Sequence, residues 1–267
     1  MLKASTETLA NLFATQKVAQ LKAIAIQSGN LSSGVKTELV NRLVGHFEAT
    51  HVEPGSIISF DLGYRNLAYC HLNKDAKILD WARVDLDLPS FHPSVVAPIV
   101  RQFIEDRVQT NLKTTDRVVV ELQRARSNGG HGVLEHTLRV NCVEAVLWAG
   151  LYEYVDKMKR PHIQMTALNR RTVDMLWQPQ LDQIILDYPD KFKKLKPGYY
   201  YKKRASMLLV EQWIETATEV QCNDHFKAMF EAEKKKDDLS DCLIQAVSWY
   251  KWTRFTNDYK NNLLLKD

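Results

Sequence analysis

The spacing of apolar positions changes character along the chain. From Lys17 to Val44 they recur at helical intervals: Val18, Leu21, Ile24 and Ala25 form one stripe, and Leu39, Val40, Leu43 and Val44 form another. The segment KVAQLKAIAIQSGNLSSGVKTELVNRLV therefore predicts two short helices around a tight connection. Gly29 is placed to end the first in a left-handed cap, with Leu31 packing back on the preceding turn, and Ser33 and Gly34 reopen the chain for the second. His51 to Ser56 contains the breaker pair Pro54 and Gly55, which ends the hairpin and starts a new domain.

Beyond that boundary the period shortens. Ile57 to Phe60, Leu67 to His71 and Ile78 to Val84 read as three close strands of an antiparallel meander. Pro93 opens a helix running to about Leu112, and Arg117 to Glu121 gives a strand too continuously apolar for an exposed edge, hence central and buried on both faces. Val133 to Lys157 reads as a long helix with Val133, Val140, Val143, Leu147, Leu151 and Val155 as its apolar positions, followed by a strand at His162 to Thr166. Helices at Lys202 to Ile214 and Asp237 to Trp252 complete the order. The pattern is α/β: a helical piece over residues 1–50 and a mixed sheet flanked by helices over residues 56–267.

Composition narrows this picture without redirecting it. With 267 residues, 45% hydrophobic and 25% charged, the chain has the makings of one substantial core plus a small appendage. No run of about 18 apolar residues occurs, so no membrane span is expected. The opening residues, MLKASTETLANLF, show neither the plan of a secretory signal nor the arginines of a transit peptide, so any address is expected to be absent or already removed. Cys70, Cys142, Cys222 and Cys242 are far apart with no CxxC spacing, and the eight histidines form no HExxH, which argues against zinc and against a disulfide framework. These thiols are expected to be reduced and mostly buried. A net charge of +4 merely permits a polyanionic partner.

The distribution of acids says more. The strands at Ile57 to Phe60 and Val118 to Val120 each run straight into a carboxylate, Asp61 and Glu121. In KKKDDLSDCLIQAV, a helical wheel sets Asp237 and Asp241 roughly 40° apart and Asp238 and Asp241 roughly 60° apart, so either pair shares a face. Leu239, Leu243, Ala246, Val247 and Tyr250 make an opposing stripe that would hold these aspartates towards the sheet end. Taken singly, Asp61 reads as a turn residue before Gly63, Glu121 as a strand-end charge, and Asp237 or Asp238 as an acid favoured at a helix N-terminus. Jointly they make a cluster in which each charge disfavours the others unless a cation offsets them. Hard carboxylate donors suit magnesium or manganese. Two such ions about 4 Å apart activate water and stabilise a leaving oxygen in phosphodiester hydrolysis.

An early strand ending in Asp, a later strand ending in Glu and a last helix carrying DDxxD are the layout of the ribonuclease H-like nucleases. With FDLGYRNLAYC, VVVELQRARS, ALNRRTVDMLW and KKKDDLSDCLIQA, the chain resembles RuvC-type Holliday-junction resolvases over residues 56–252, and among them the fungal mitochondrial resolvases. The hairpin ahead of this stretch resembles a SAP motif, a small helical DNA-binding element, in which Lys22, Lys36 and Arg42 are suited to phosphate contact, although a hairpin that only docks on the main domain or on another subunit fits as well. The resemblance implies a ribonuclease H-like fold, a homodimer, a four-way DNA junction as substrate, magnesium as cofactor with manganese able to substitute, and a mitochondrial location. It makes Asp61, Glu121 and Asp241 catalytic metal ligands, with Asp237 and Asp238 competing for the remaining place, for which the wheel slightly favours Asp237 without deciding. It also places the helix of Val133 to Lys157 at the subunit interface of such dimers.

Basic residues complete the reading. KFKKLKPGYYYKKR, residues 191–204, interleaves seven basic side chains with four aromatics around Pro197 and Gly198. Lys193, Lys194, Lys202 and Lys203 suit phosphate contact beside stacking rings, against the alternative of a solvated loop. Arg124, Arg126, Arg170, Arg171 and the Lys234 to Lys236 run, Lys236 included, are placed to grip strands near the scissile phosphate. The loop SNGGHG, Ser127 to Gly132, lacks a GK[ST] ending and is no nucleotide P-loop. Two other functions fit parts of the pattern. An actin-like-fold ATPase or kinase would share DLGYRN but needs a second glycine-rich phosphate loop, and a non-catalytic junction-binding protein of the same fold would have no need of the intact acidic set.

Overall fold

Strand β1 (Ser56–Leu62) lies at the centre of five, in the order β3-β2-β1-β4-β5. It pairs antiparallel with β2 (Asn66–Asn73), which pairs antiparallel with β3 (Ile78–Asp85). On its other side it pairs parallel with β4 (Arg117–Glu121), and β4 pairs parallel with β5 (Gln164–Leu168). This is the mixed sheet of the ribonuclease H-like fold. The structure is a computed structural model and describes residues 6–63, 65–123, 135–196 and 198–264. Arg124, Arg126, Val133, Pro197 and the Ser127 to Gly132 loop lie outside the described residues.

Short connections set the meander. Gly63 receives a hydrogen bond geometry that only a small residue tolerates: its N–H donates to the Asn66 carbonyl at 2.8 Å, and a Cβ would stand 2.7 Å from that oxygen. Between the parallel strands come helices. α4 (Pro93–Phe103) starts on a proline whose φ is preset for the first turn, then runs through a π-helical turn at Ile104–Val108 into α5 (Gln109–Leu112). α6 (Glu135–Lys157) buries Val143, Leu147, Leu151 and Val155 as their spacing predicts, with Val140 partly covered. These helices share one core with Ile58, Phe60, Leu62, Val118 and Val120, one face of the central strands.

The other side chains of β1 and β4 point oppositely, as strand geometry requires. On that side Trp81 of β3 stacks on Phe230 of α9 (Asp224–Ala232) at 5.1 Å, and its indole donates to the Leu239 carbonyl of α10 (Lys236–Leu264) at 3.1 Å. The apolar stripe expected on α10 is buried throughout: Leu239, Leu243, Ala246, Val247 and Tyr250.

Several details differ from the sequence expectation. The fifth strand begins two residues later than His162, because Ile163 closes a turn onto the Arg160 carbonyl and Gln164 is the first residue to pair, opposite Arg117. α7 (Arg170–Asp187) and α9 have no counterpart among the expected helices, and α8 (Tyr199–Thr216) starts three residues before the expected Lys202 and so takes in three tyrosines. Cys70 and Cys242 are buried, but Cys142 and Cys222 are only half-buried; all four are free thiols.

The described residues group into two units, one of 6–53, 170–180 and 247–264 and one of 54–169 and 181–246. In the first, α1 (Thr6–Thr15), α2 (Val18–Gln27) and α3 (Lys36–Glu48) build a core from Leu9, Phe13, Leu21, Ile24, Leu39, Leu43 and Phe47, closed by Phe255, Tyr259 and Leu263 of α10. Residues 170–180 and 247–264, which the sequence pattern places with the sheet, group instead with the first three helices. Val18 stands at the edge of its stripe and is 40% exposed. Gly29 adopts φ +75 against the Trp252 ring, 2.7 Å from where a Cβ would sit. α3 is capped at Val35, whose N–H donates to Glu38 Oε2 at 3.1 Å, rather than by Ser33. Among the described residues no helix is long and apolar enough to cross a membrane.

Candidate active site

Asp61 and Glu121 come to the same level through register. The parallel pairing of Ser59 with Val119 and Phe60 with Val120 carries the two carboxylates to adjacent strand ends, one residue further on. Because Phe60 and Val120 belong to the α4 and α6 core, Asp61 and Glu121 point to the opposite face, where α10 lies. Both are half-buried. Gln245 of α10 donates to Glu121 Oε2 at 2.9 Å, and the Asp61 charge is felt at the buried Cys242 thiol next to Asp241. Burial first, then Cys70 and the two acids, hold that thiol well above the usual range.

The first two turns of α10 supply the remaining acids, Asp237 and Asp238 in the first and Asp241 in the second. Asp237 is engaged by Lys203 of α8. Partial burial disfavours the Lys203 charge, but hydrogen bonds to Asp237 and Tyr199 hold its pKa above the ordinary lysine range. Asp238 is pushed up to about 6, chiefly by burial, then by the neighbouring charge of Asp237, with Lys203 and Lys235 opposing and Asp241 adding to the rise. A sixth acid carries no signal in the sequence: Glu144 of α6 is raised by burial and by Glu121, and it accepts from the Gln123 N–H at 3.5 Å.

Asp61, Glu121, Asp238 and Asp241 are hard oxygen donors, and the rise at Asp238, from burial first and then from Asp237 and Asp241, is of the kind a bound cation offsets, so the chemistry of the donor set fits a divalent cation such as magnesium. As the side chains stand, no three His, Cys, Asp or Glu groups among the described residues are gathered about one point so as to hold an ion.

The predicted basic residues fall into distinct settings. Lys236 pairs with Glu211 at 3.2 Å and lies 5.1 Å from the Phe230 ring. Lys193 is exposed and pairs with Asp190 at 2.5 Å; Lys194 is exposed and Lys202 half-buried. In the helical unit, Lys36 donates to the Ala14 carbonyl at 2.7 Å, and Arg42 donates to the Leu31 and Ser33 carbonyls, closing the hairpin loop. Lys22 is exposed. Arg170 pairs with Asp174 at 3.0 Å, and Arg171 is exposed. Tyr199 and Tyr200 are exposed at 66% and 58%, the highest values among the described tyrosines, as a stacking surface requires.

Two residues of the site passed unnoticed in the sequence. Gln245 and Ser59 are wholly buried and lie directly behind the acids. The available signal was Gln245 standing four residues after Asp241, on the same helix face.

The chain is 26% identical to the mitochondrial cruciform cutting endonuclease 1 of Schizosaccharomyces pombe over 281 aligned positions, covering 93% of this chain and 96% of that protein. It is 21% identical to the Saccharomyces cerevisiae protein of the same name over 248 positions, 74% of this chain and 69% of that one. The crystal structure of the yeast mitochondrial Holliday junction resolvase Ydc2 superposes with a TM-score of 0.63 at 25% identity, covering 92% of this chain and 97% of that one. The profile described as mitochondrial resolvase Ydc2 / RNA splicing MRS1 matches residues 57–232, and the chain belongs to that family.

Proposed function

We propose that the chain is a structure-selective endonuclease that resolves four-way (Holliday) DNA junctions in mitochondria by magnesium-dependent phosphodiester hydrolysis, acting as a homodimer. The observation that carries this reading is the pair Asp61 and Glu121, set side by side at the ends of β1 and β4 on the face that meets α10. Family membership and relatives named as mitochondrial cruciform cutting endonucleases support the substrate and the compartment. A homodimer supplies two such sites for two opposed strands.

Magnesium, or manganese in its place, supplies Lewis-acid stabilisation of the scissile phosphate and acidifies the attacking water when bound. The chain's own residues do the rest. Asp61, central on β1, and Glu121 offer oxygens from the sheet, while Asp241 and one aspartate of the preceding turn offer them from α10. We read that aspartate as Asp238, because Asp237 is taken up by Lys203. Lys193, Lys194, Lys202 and Lys236, with Tyr199 and Tyr200, provide a cationic and aromatic margin for the junction strands. A junction-binding protein without chemistry would gain nothing from a half-buried carboxylate cluster whose members oppose one another's ionisation.

The test compares wild type with Asp61→Asn on a synthetic four-way junction and on matched duplex, in magnesium and in EDTA. Wild type should cut only the junction and only with magnesium. The variant should still bind it but cut more than about 100-fold more slowly, exceeding the usual cost of losing a ligand's supporting partner. Undiminished cutting by the variant, or equal cutting of duplex, sinks the proposal.

A further inference from the structure

The three elements that carry the acids are joined behind them by one buried hydrogen-bond chain. Ser59 Oγ of β1 donates to Gln245 Oε1 of α10 at 3.1 Å, and Gln245 Nε2 donates to Glu121 Oε2 of β4 at 2.9 Å. Ser59 and Gln245 are both 0% exposed. Ser59 precedes Asp61 by two residues and so shares its face of β1, while Gln245 follows Asp241 by one helical turn. Each link is therefore attached to an element that presents an acid.

The direction of the chain is fixed by charge. A serine hydroxyl donates or accepts, so Ser59 alone would tolerate either orientation of the Gln245 amide. An ionised Glu121 accepts only, so the amide must turn its NH2 group to the carboxylate and its oxygen to Ser59. Gln245 stands among the buried Leu243, Ile244, Ala246 and Val247, where an apolar side chain would fill the space without desolvating an amide. Its retention of both partners makes it a directional clamp on one oxygen of Glu121.

We propose that Gln245 is a positioning residue for the metal site: it fixes the plane of the Glu121 carboxylate and ties that plane to β1 and α10, with Ser59 as its anchor. The inference rests on the metal-dependent reading of the site. Partners of this kind hold ligating carboxylates in orientation, and their loss commonly costs 10- to 100-fold in metal affinity or activity. Because no three acids among the described residues are gathered about one point, orienting even one of them lowers the cost of bringing the rest together.

The test measures Mn2+ binding to the DNA-free protein by electron paramagnetic resonance of the free ion, alongside junction binding in EDTA and cleavage in magnesium. Gln245→Met keeps length and volume but removes both hydrogen bonds. It should weaken Mn2+ binding about tenfold while leaving EDTA junction binding unchanged. Ser59→Ala leaves the amide without its anchor and should weaken Mn2+ binding several-fold; it decides the matter where Gln245→Met fails to fold. A folded variant that binds Mn2+ as wild type does overturns the inference while leaving the nuclease reading intact. A wild type that neither binds Mn2+ nor cleaves overturns both.

Discussion

Strand β1 has two faces with opposite assignments. Ile58, Phe60 and Leu62 enter a core with Phe103, Val118, Val120 and Leu147, and carry no polar group. Ile57, Ser59 and Asp61 face the other way and become steadily more polar towards the strand end. Both faces are covered by helices, so solvent does not account for the contrast. One face holds the strand in place by burial, and the other spends part of that stability on carboxylates whose charges oppose one another. A site of this kind needs the apolar face as its foundation, because the packed register of β1 and β4 is what keeps Asp61 and Glu121 level.

The largest effect should come from breaking the apolar face. Phe60 is wholly buried, with its ring 6.0 Å from Tyr69 and 6.5 Å from Phe103. Phe60→Ala should cost about 3–5 kcal/mol in denaturant unfolding. At low temperature, the fraction that remains folded should retain its cleavage rate. Asp61→Asn, one residue along, should do the reverse, abolishing cleavage without lowering the melting temperature. If the two substitutions have the same phenotype, the division of labour between the faces is wrong.

The helical unit supplies a contrast of a second kind, a buried titratable group placed for structure. His46 has its Nε2 3.1 Å from Thr256 Oγ1 and its ring 4.2 Å from His51. Burial, then His51 and Lys260, push its pKa down to about 3. An unfolded histidine titrates near 6.5, so between those values the unfolded chain binds the extra proton and stability falls as pH falls. The slope approaches about 1.4 kcal/mol per pH unit, or about 2 kcal/mol lost at pH 5 relative to pH 7. His46→Gln should flatten that slope in chemical denaturation, and an unaltered slope would assign the acid sensitivity elsewhere.

What the sequence made legible follows from what strands and helices encode locally. Asp61 and Glu121 stood out because each ends an apolar run, and the α10 stripe could be read from spacing alone. The wheel leans slightly to Asp237 over Asp238 without deciding, the opposite of the choice that the Lys203 pairing favours. The residue that distinguishes their settings, Lys203, lies 34 positions away on α8. Gln245 was invisible for a similar reason: within LIQAV a single glutamine looks like a solvent-facing interruption, and only the packing of α10 on the sheet turns it inward. Periodicity shows that a helix buries a face but not against what, which is why the grouping of α1 to α3 with the end of α10 was not foreseen. Arg42 read as a phosphate contact because its charge was visible, whereas the Leu31 and Ser33 carbonyls it caps were not.

The smallest effect should be the most discriminating, because its sign is opposite to that at His46. Asp238 has a folded pKa near 6 against an ordinary 3.8, so the folded state keeps a proton that the unfolded state has lost, and stability falls as pH rises through that window. Asp238→Asn removes the charge and should therefore stabilise the protein in EDTA at pH 7 by about 1 kcal/mol, after discounting for the solvent that still reaches the group. At pH 4 wild type is largely protonated there, so the advantage should nearly vanish. Magnesium should also erase it at pH 7, since a bound cation offsets in wild type the repulsion that the amide removes. Melting curves of the two proteins at both pH values, with and without magnesium, separate these terms. A destabilised Asp238→Asn at pH 7 in EDTA would mean that Asp238 serves the fold, and that the polar face of the sheet end costs the protein nothing.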